Sequence, residues 1–184
     1  MAVEIASDGK LTNNKKSLFT TTVTKNRERG AFYFKDSPAG DMLLVMHASL
    51  FDKEEVIQYE IKLFNENLDI AMSNLEKVPF NDRNDLEFTI ADLSVNYNDD
   101  VFLVINESYR DRKSKTKIEN FELHSFKTAN NYKNKVTKID FKDKEIINFQ
   151  MNTNKNKKEK WLGFYSIISK NEKANNKVNS LLTV

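Results

Sequence analysis

Apolar positions along this chain fall into short runs that return at a fixed interval. Asp41-Met42-Leu43-Leu44-Val45-Met46 recurs as Asp100-Val101-Phe102-Leu103-Val104-Ile105 and again as Glu159-Lys160-Trp161-Leu162-Gly163-Phe164, 59 residues apart each time (100 − 41 and 159 − 100). Each run is entered through an acidic residue. The first two are apolar on both faces, the pattern of a strand covered from both sides. The segments between the runs match as well. Residues 55–65 align with 117–127 at an offset of 62, which sets Tyr59, Ile61 and Phe64 on Phe121, Leu123 and Phe126; residues 86–90 align with 147–151 at 61. Ile57, Tyr59, Ile61 and Leu63 alternate with Gln58, Glu60 and Lys62, which favours a half-exposed strand over a helix across 54–65. A repeat with small insertions in its loops follows.

Taken in order, residues 1–15 are polar and aperiodic and read as a mobile lead-in. A β-branched and aromatic stretch at 17–24 predicts the first strand, turned by 25–30 into a second at 31–35 with Phe32 and Phe34 on one face. Ser37-Pro38-Ala39-Gly40 makes the turn into the first buried strand. Residues 69–78, with Pro79 behind them, predict an outer edge strand, since charge and proline keep edges from pairing. The second unit repeats the order: a strand at 86–91, a turn at 96–99, the buried strand, a loop at 110–117, an alternating strand at 118–126 and a polar edge at 135–141. The third has strands at 145–151 and 161–168 and a last one at 178–184. The organisation is therefore a lead-in at 1–29, repeat units at 30–85 and 86–144, and a partial unit at 145–184.

An all-β chain of four-stranded antiparallel units, apolar inside and polar at the outer edge, has the form of β-propeller blades, here in an incomplete or open array. Across residues 30–168 the chain also resembles the uncharacterised propeller-like repeat proteins exported by some Gram-negative bacteria. That resemblance rests on Asn67-Leu68-Asp69 ahead of a strand ending in Val78-Pro79-Phe80, and on Trp161-Leu162-Gly163-Phe164-Tyr165. It implies a bacterial, periplasmic or extracellular protein and brings no established activity. Closed propellers take at least about four blades, so two and a half leave three solutions: a longer natural chain, a homo-oligomer, or a stack capped by 1–29 and 169–184.

Composition narrows the partners. Only 4 glycines and 2 prolines are present, so asparagine and aspartate must make most turns. With 29 basic and 27 acidic residues the formal charge is +2, which argues against global attraction to nucleic acid. Cysteine is absent, excluding disulfides and thiolate metal sites. The first residues lack the basic and apolar regions of a signal peptide, and no run reaches the length of a membrane span, so the chain is read as soluble.

Chemical candidates are few. His47 follows the first buried strand and His124 falls on the polar side of an alternating strand, without metal-ligand spacing. Neither catalytic residues nor a cofactor nor a metal is predicted. Asp41, Asp100 and Glu159 share a position in every unit, which points to a turn role. Trp161 aligns with Leu43 and Phe102 and so predicts a core side chain. The remaining candidate is a basic loop, Arg110, Arg112, Lys113, Lys115 and Lys117, suited to phosphate or acidic glycan; a second basic run lies at 155–160. The reading is a non-catalytic binding or scaffold module for a protein or glycan, with a propeller hydrolase or lyase acting on a glycan or ester as the alternative.

Overall fold

The computed structural model describes residues 1–21, 29–51, 56–79, 83–111, 113–139, 144–153, 161–169 and 178–183, with side chains at 1–21, 29–49, 56–79, 86–111, 113–139 and 149–151. Three antiparallel meanders carry the chain. Strands β3 (Ala31–Asp36), β4 (Leu43–Phe51), β5 (Val56–Phe64) and β6 (Ile70–Pro79) form the first sheet in that order. Strands β7 (Arg83–Val95), β8 (Val101–Asp111), β9 (Lys117–Phe126) and β10 (Asn134–Ile139) form the second. The third has β11 (Lys144–Thr153), β12 (Trp161–Ser169) and β13 (Val178–Thr183). The fold is all-β and antiparallel, no sheet closes on itself, and no helix among the described residues is long and apolar enough to cross a membrane.

The sheets stack face to face, as strands without a polar face require. One cluster joins Leu44, Met46, Tyr59, Ile61 and Leu63 of the first sheet to Leu93, Val95, Val101, Leu103 and Phe126 of the second. Another joins Phe102, Val104 and Leu123, on the opposite face of the second sheet, to Phe149 and Met151 of the third. The first strands of successive sheets approach most closely, β3 beside β7 and β7 beside β11. Asp92, next to a bulge in β7, fastens the third sheet: its carboxylate accepts a hydrogen bond from the Met151 backbone N–H.

Turn geometry sets the register of the repeat and corrects the sequence alignment. Ser37 N–H bonds to Met42 C=O, and Asn96 N–H to Asp100 C=O, so the first turn holds one residue more. Leu43 therefore corresponds to Val101, and each pairs across its sheet with a phenylalanine, Phe64 or Phe126. The counterpart of Phe102 is Leu44, at an offset of 58 (102 − 44), rather than Leu43, which is only half-buried. With this register, Leu44 and Phe102 both face the following sheet and Val45 and Leu103 both face backward. The stack thus repeats head to tail, the front of each sheet on the back of the next.

Three further expectations change. Residues 2–16 are not a shapeless lead-in: β1 (Ala2–Ile5) and β2 (Leu11–Lys16) form a hairpin. Its turn places Gly9 at φ +81°, and Thr12 Oγ1 donates across the strands to Glu4 at 3.0 Å. The Asp8-Gly9 pair was the signal for it, while the strands show no alternation because both faces meet water. Residues 17–21, expected to open a strand, are not in one; 22–24 lie outside the described residues. Left-handed turn positions are held by Leu68, Lys115 and Tyr132 as well as Asp99 and Asn131, so asparagine acts largely as an anchor. Asn65 Oδ1 accepts from the N–H groups of Asn67 and Asp69, and Asn96 Oδ1 from those of Asn98 and Asp100, fixing the backbone while another residue takes the strained angle. Trp161 and Phe164 lie on β12, but their side chains are outside the described residues.

Phe102 is 1 % exposed in the centre of the stack. Phe102→Ala should lower the free energy of unfolding by about 3–5 kcal/mol in denaturant titration, from lost transfer energy and the cavity left behind; an effect below about 1 kcal/mol would remove it from the core.

Candidate functional site

The most developed polar cluster lies in the seam between the first two sheets. Tyr59 projects from β5, Glu76 from β6, Glu122 and His124 from β9, and Asn134 from β10. Alternation brings them together: Glu76 pairs across from Tyr59, while His124 lies two residues beyond Glu122 on the face turned to the first sheet. Tyr59 is 1 % exposed and His124 5 %. His124 was expected on an exposed polar side. It is buried because the second sheet has no uncovered face, so the polar side of β9 is itself an interface.

Hydrogen bonding fixes the protonation of this cluster. Tyr59 O–H lies 3.0 Å from His124 Nδ1, and the Asn134 amide nitrogen is 3.1 Å from that atom and 3.2 Å from a Glu76 carboxylate oxygen. An amide NH₂ only donates, and the reversed amide would set its oxygen against the Glu76 carboxylate. Nδ1 is therefore the acceptor, and the neutral ring carries its proton on Nε2. That nitrogen sits 3.4 Å from a Glu122 carboxylate oxygen, without the direction of a hydrogen bond. Burial pushes the His124 pKa down, against the pull of Glu122. Burial, with the nearby Glu76 charge, also pushes the Tyr59 phenol up. A neutral imidazole between a phenol and two carboxylates contains the parts of an acid–base relay. Its central groups are closed off from solvent, and what they do here is hold the outer parts of two sheets together.

The other candidates are separated from this cluster by the fold. His47 lies inside β4 on the back of the first sheet, where Nε2–H donates to the Arg29 carbonyl at 2.8 Å. Asp41 accepts from Ser37 Oγ at 2.7 Å, and Asp100 accepts from Asn96 and from both the N–H and hydroxyl of Thr128. Both therefore do the turn work expected of them; Glu159 lies outside the described residues. Asp41 and Asp100 stand close enough to Asp99 to raise its pKa, an effect second to its partial burial. Each of the two nonetheless binds within its own sheet. No group of acidic or histidine side chains among the described residues is arranged to hold a metal ion.

The predicted basic loop is the β8–β9 hairpin. Arg110 and Lys117 are cross-strand partners at its base, Lys113 and Lys115 lie in the turn, all four are exposed, and Arg112 lies outside the described residues. Asp111 shapes it by accepting from the N–H groups of Lys113 and Ser114, which lowers its own pKa. The second basic run, 155–160, is outside the described residues. A cleft of about 260 Å³ opens beside β3 and β7, lined by Tyr33, Ala48, Ile57, Leu86 and Phe88 with no carboxylate, imidazole or amine in its described wall. Sequence reasoning missed the Tyr59–His124 contact because it treated the alternating strands β5 and β9 as having one wet face. Carrying the two-sided burial of β8 across to β9 would have found it.

No protein-family model, curated protein or solved structure matches the chain.

The depressed His124 pKa gives a pH dependence of definite sign. In the unfolded chain the ring binds a proton near its ordinary value of 6.5, while the folded state resists protonation to lower pH. Unfolding therefore takes up a proton between the two values, and stability falls as pH drops through that window. Melting temperatures recorded from pH 7.5 downward should decline from about pH 6.5, and His124→Gln should flatten this part of the profile. An unchanged profile in the variant would mean that another group carries it.

Proposed function

We infer that the chain is a non-catalytic binding or scaffold module of β-propeller type, acting on a protein or glycan partner. The observation that carries this reading is the head-to-tail stacking of four-stranded sheets whose first strands lie side by side, the arrangement by which propeller blades surround an axis. Strands committed on both faces to packing leave the hairpin loops free to meet partners. The β8–β9 hairpin is the best equipped of the described loops, with Arg110, Lys113, Lys115 and Lys117 on a turn already ordered by Asp111. Sulfated or carboxylated glycans and acidic protein segments are the matching partner classes. The enclosure of Tyr59 and His124 weighs against the hydrolase or lyase reading.

Charge reversal at Lys113, Lys115 and Lys117 should leave the melting temperature almost unchanged and abolish binding on an array of acidic and neutral glycans, if a glycan is the partner. Loss of folding would make these lysines structural. The intact chain should show no turnover on a panel of chromogenic glycosidase and esterase substrates; turnover lost in His124→Gln would replace this reading with the enzymatic one.

A further inference from the structure

The residues ahead of the first sheet make a second folded unit. β1 and β2 form a sheet of their own, and among the described residues none before Tyr33 belongs to either apolar cluster. This unit meets the stack through Lys16 and Phe19, on the back of the first sheet. Lys16 donates to Asp69 at 2.7 Å and to the Asn67 carbonyl at 3.0 Å, both in the β5–β6 turn. Phe19 lies over Lys62, its ring centroid 4.3 Å from Nζ, and meets Phe32 of β3 edge-on. Lys62 is itself ion-paired with Glu60 at 2.8 Å. Side chains make all of these contacts; among the described residues no backbone hydrogen bond ties 17–21 to the first sheet. Residues 22–28, outside the described residues, connect the unit to the stack. The far end of that connection is fixed. The Arg29 carbonyl accepts from His47, and Gly30 takes φ +64°, where a side chain would collide with the Ala48 carbonyl.

We propose that this N-terminal unit is an exchangeable arm: residues 1–21 of one copy dock on the first sheet of a second copy, whose own arm docks in return, giving a twofold dimer. The occupant is a segment whose contacts are all described above. Across the dimer Lys16 meets Asp69, and Phe19 meets Lys62 and Phe32, as they do within one chain, so exchange gives up no docking contact. What exchange adds lies beside the connections, where the two copies come together. The first strand beyond the connection is β3, and there Phe32 and Phe34 stack with centroids 6.3 Å apart. Phe34 is 64 % exposed, whereas Leu93, its counterpart on the second sheet, is 6 % exposed under a full neighbour. An exposed aromatic pair next to the crossing point is the apolar surface that a second copy covers. The contact is isologous, the same β3 patch serving on both sides.

Carbodiimide cross-linking of the intact chain tests this, because Lys16 and Asp69 touch closely enough to be joined directly as an amide. Equal amounts of unlabelled and heavy-isotope-labelled protein are unfolded together, refolded and cross-linked, and the linked Lys16–Asp69 peptides are weighed by mass spectrometry. Exchange predicts linked pairs with one light and one heavy member, rising with protein concentration alongside a dimer in light scattering. Phe34→Lys should reduce these mixed pairs several-fold and leave the same-label pairs, since the arm then docks on its own chain; Phe34→Ser serves if circular dichroism shows that the lysine disturbs the sheets. Links confined to same-label pairs at every concentration, or no link between these residues, would overturn the proposal. Mixed pairs that persist undiminished in a folded Phe34 variant would overturn it too.

Discussion

A strand with no polar face has to be covered on both sides, and the rest of this structure follows from that constraint. Leu103 and Val104, adjacent in β8, are both fully buried on opposite faces of one sheet. Burial of apolar surface contributes about 25 cal/mol per Å², so a sheet that presents such strands gains most when neighbours lie on both faces. The second sheet has its two neighbours within the chain. The first has one neighbour and a covering segment, and there the structure departs from simple repetition.

The stack widens outward, and the chemistry of the seam follows that widening. Near β3 and β7 the backbones approach closely, and small or aliphatic side chains such as Ala48 and Ile105 fill the space. Toward the outer strands the gap takes Tyr59, His124, Asn134 and Glu76. Long side chains bring polar ends, and polar ends in a dry seam must be paired. The convergence of a phenol and an amide on one imidazole nitrogen meets that need at Nδ1 and selects the neutral ring, while His124 Nε2 and Asn134 Oδ1 stay buried without a hydrogen-bond partner.

Much of this was legible in the residues. Two-sided apolar runs at a regular interval gave four-stranded units in the right strand order, and charge with a closing Pro79 marked β6 as an outer edge. The register was off by one because the two acids were aligned, whereas the hydrogen bonds that close the turns put Met42, not Asp41, at the backbone position of Asp100. Side-chain period two makes such a slip consequential, since it exchanges the two faces of a strand. With the wrong register Leu43 looks like a core anchor, and the head-to-tail sense of the stack disappears. The basic hairpin was visible as a charge run. The seam was not, because its partners come from four strands and its polar residues resemble a wet face when each strand is read alone.

Strand edges and sheet faces are treated differently, and this decides where the molecule can grow. The outer edge strands carry charge, with Glu76 and Lys77 on β6 and Lys135 and Lys138 on β10, and β6 ends in Pro79. The edge of β11 is met by the Asp92 carboxylate. Among the positions at which the back of the first sheet differs from that of the second is the one held by Lys62 on β5 and His124 on β9, which pair with the equivalent residues Val45 and Leu103. Inside the seam it holds histidine, whose pKa burial lowers; beneath the N-terminal segment it holds lysine, ion-paired with Glu60 at 2.8 Å and under the Phe19 ring. A lysine in the seam would crowd the amide of Asn134 with a second donor and leave Tyr59 without its acceptor, whereas a neutral histidine under Phe19 would leave Glu60 without its cation. The two repeats have therefore diverged at the position that records whether a full sheet or a short segment lies above it.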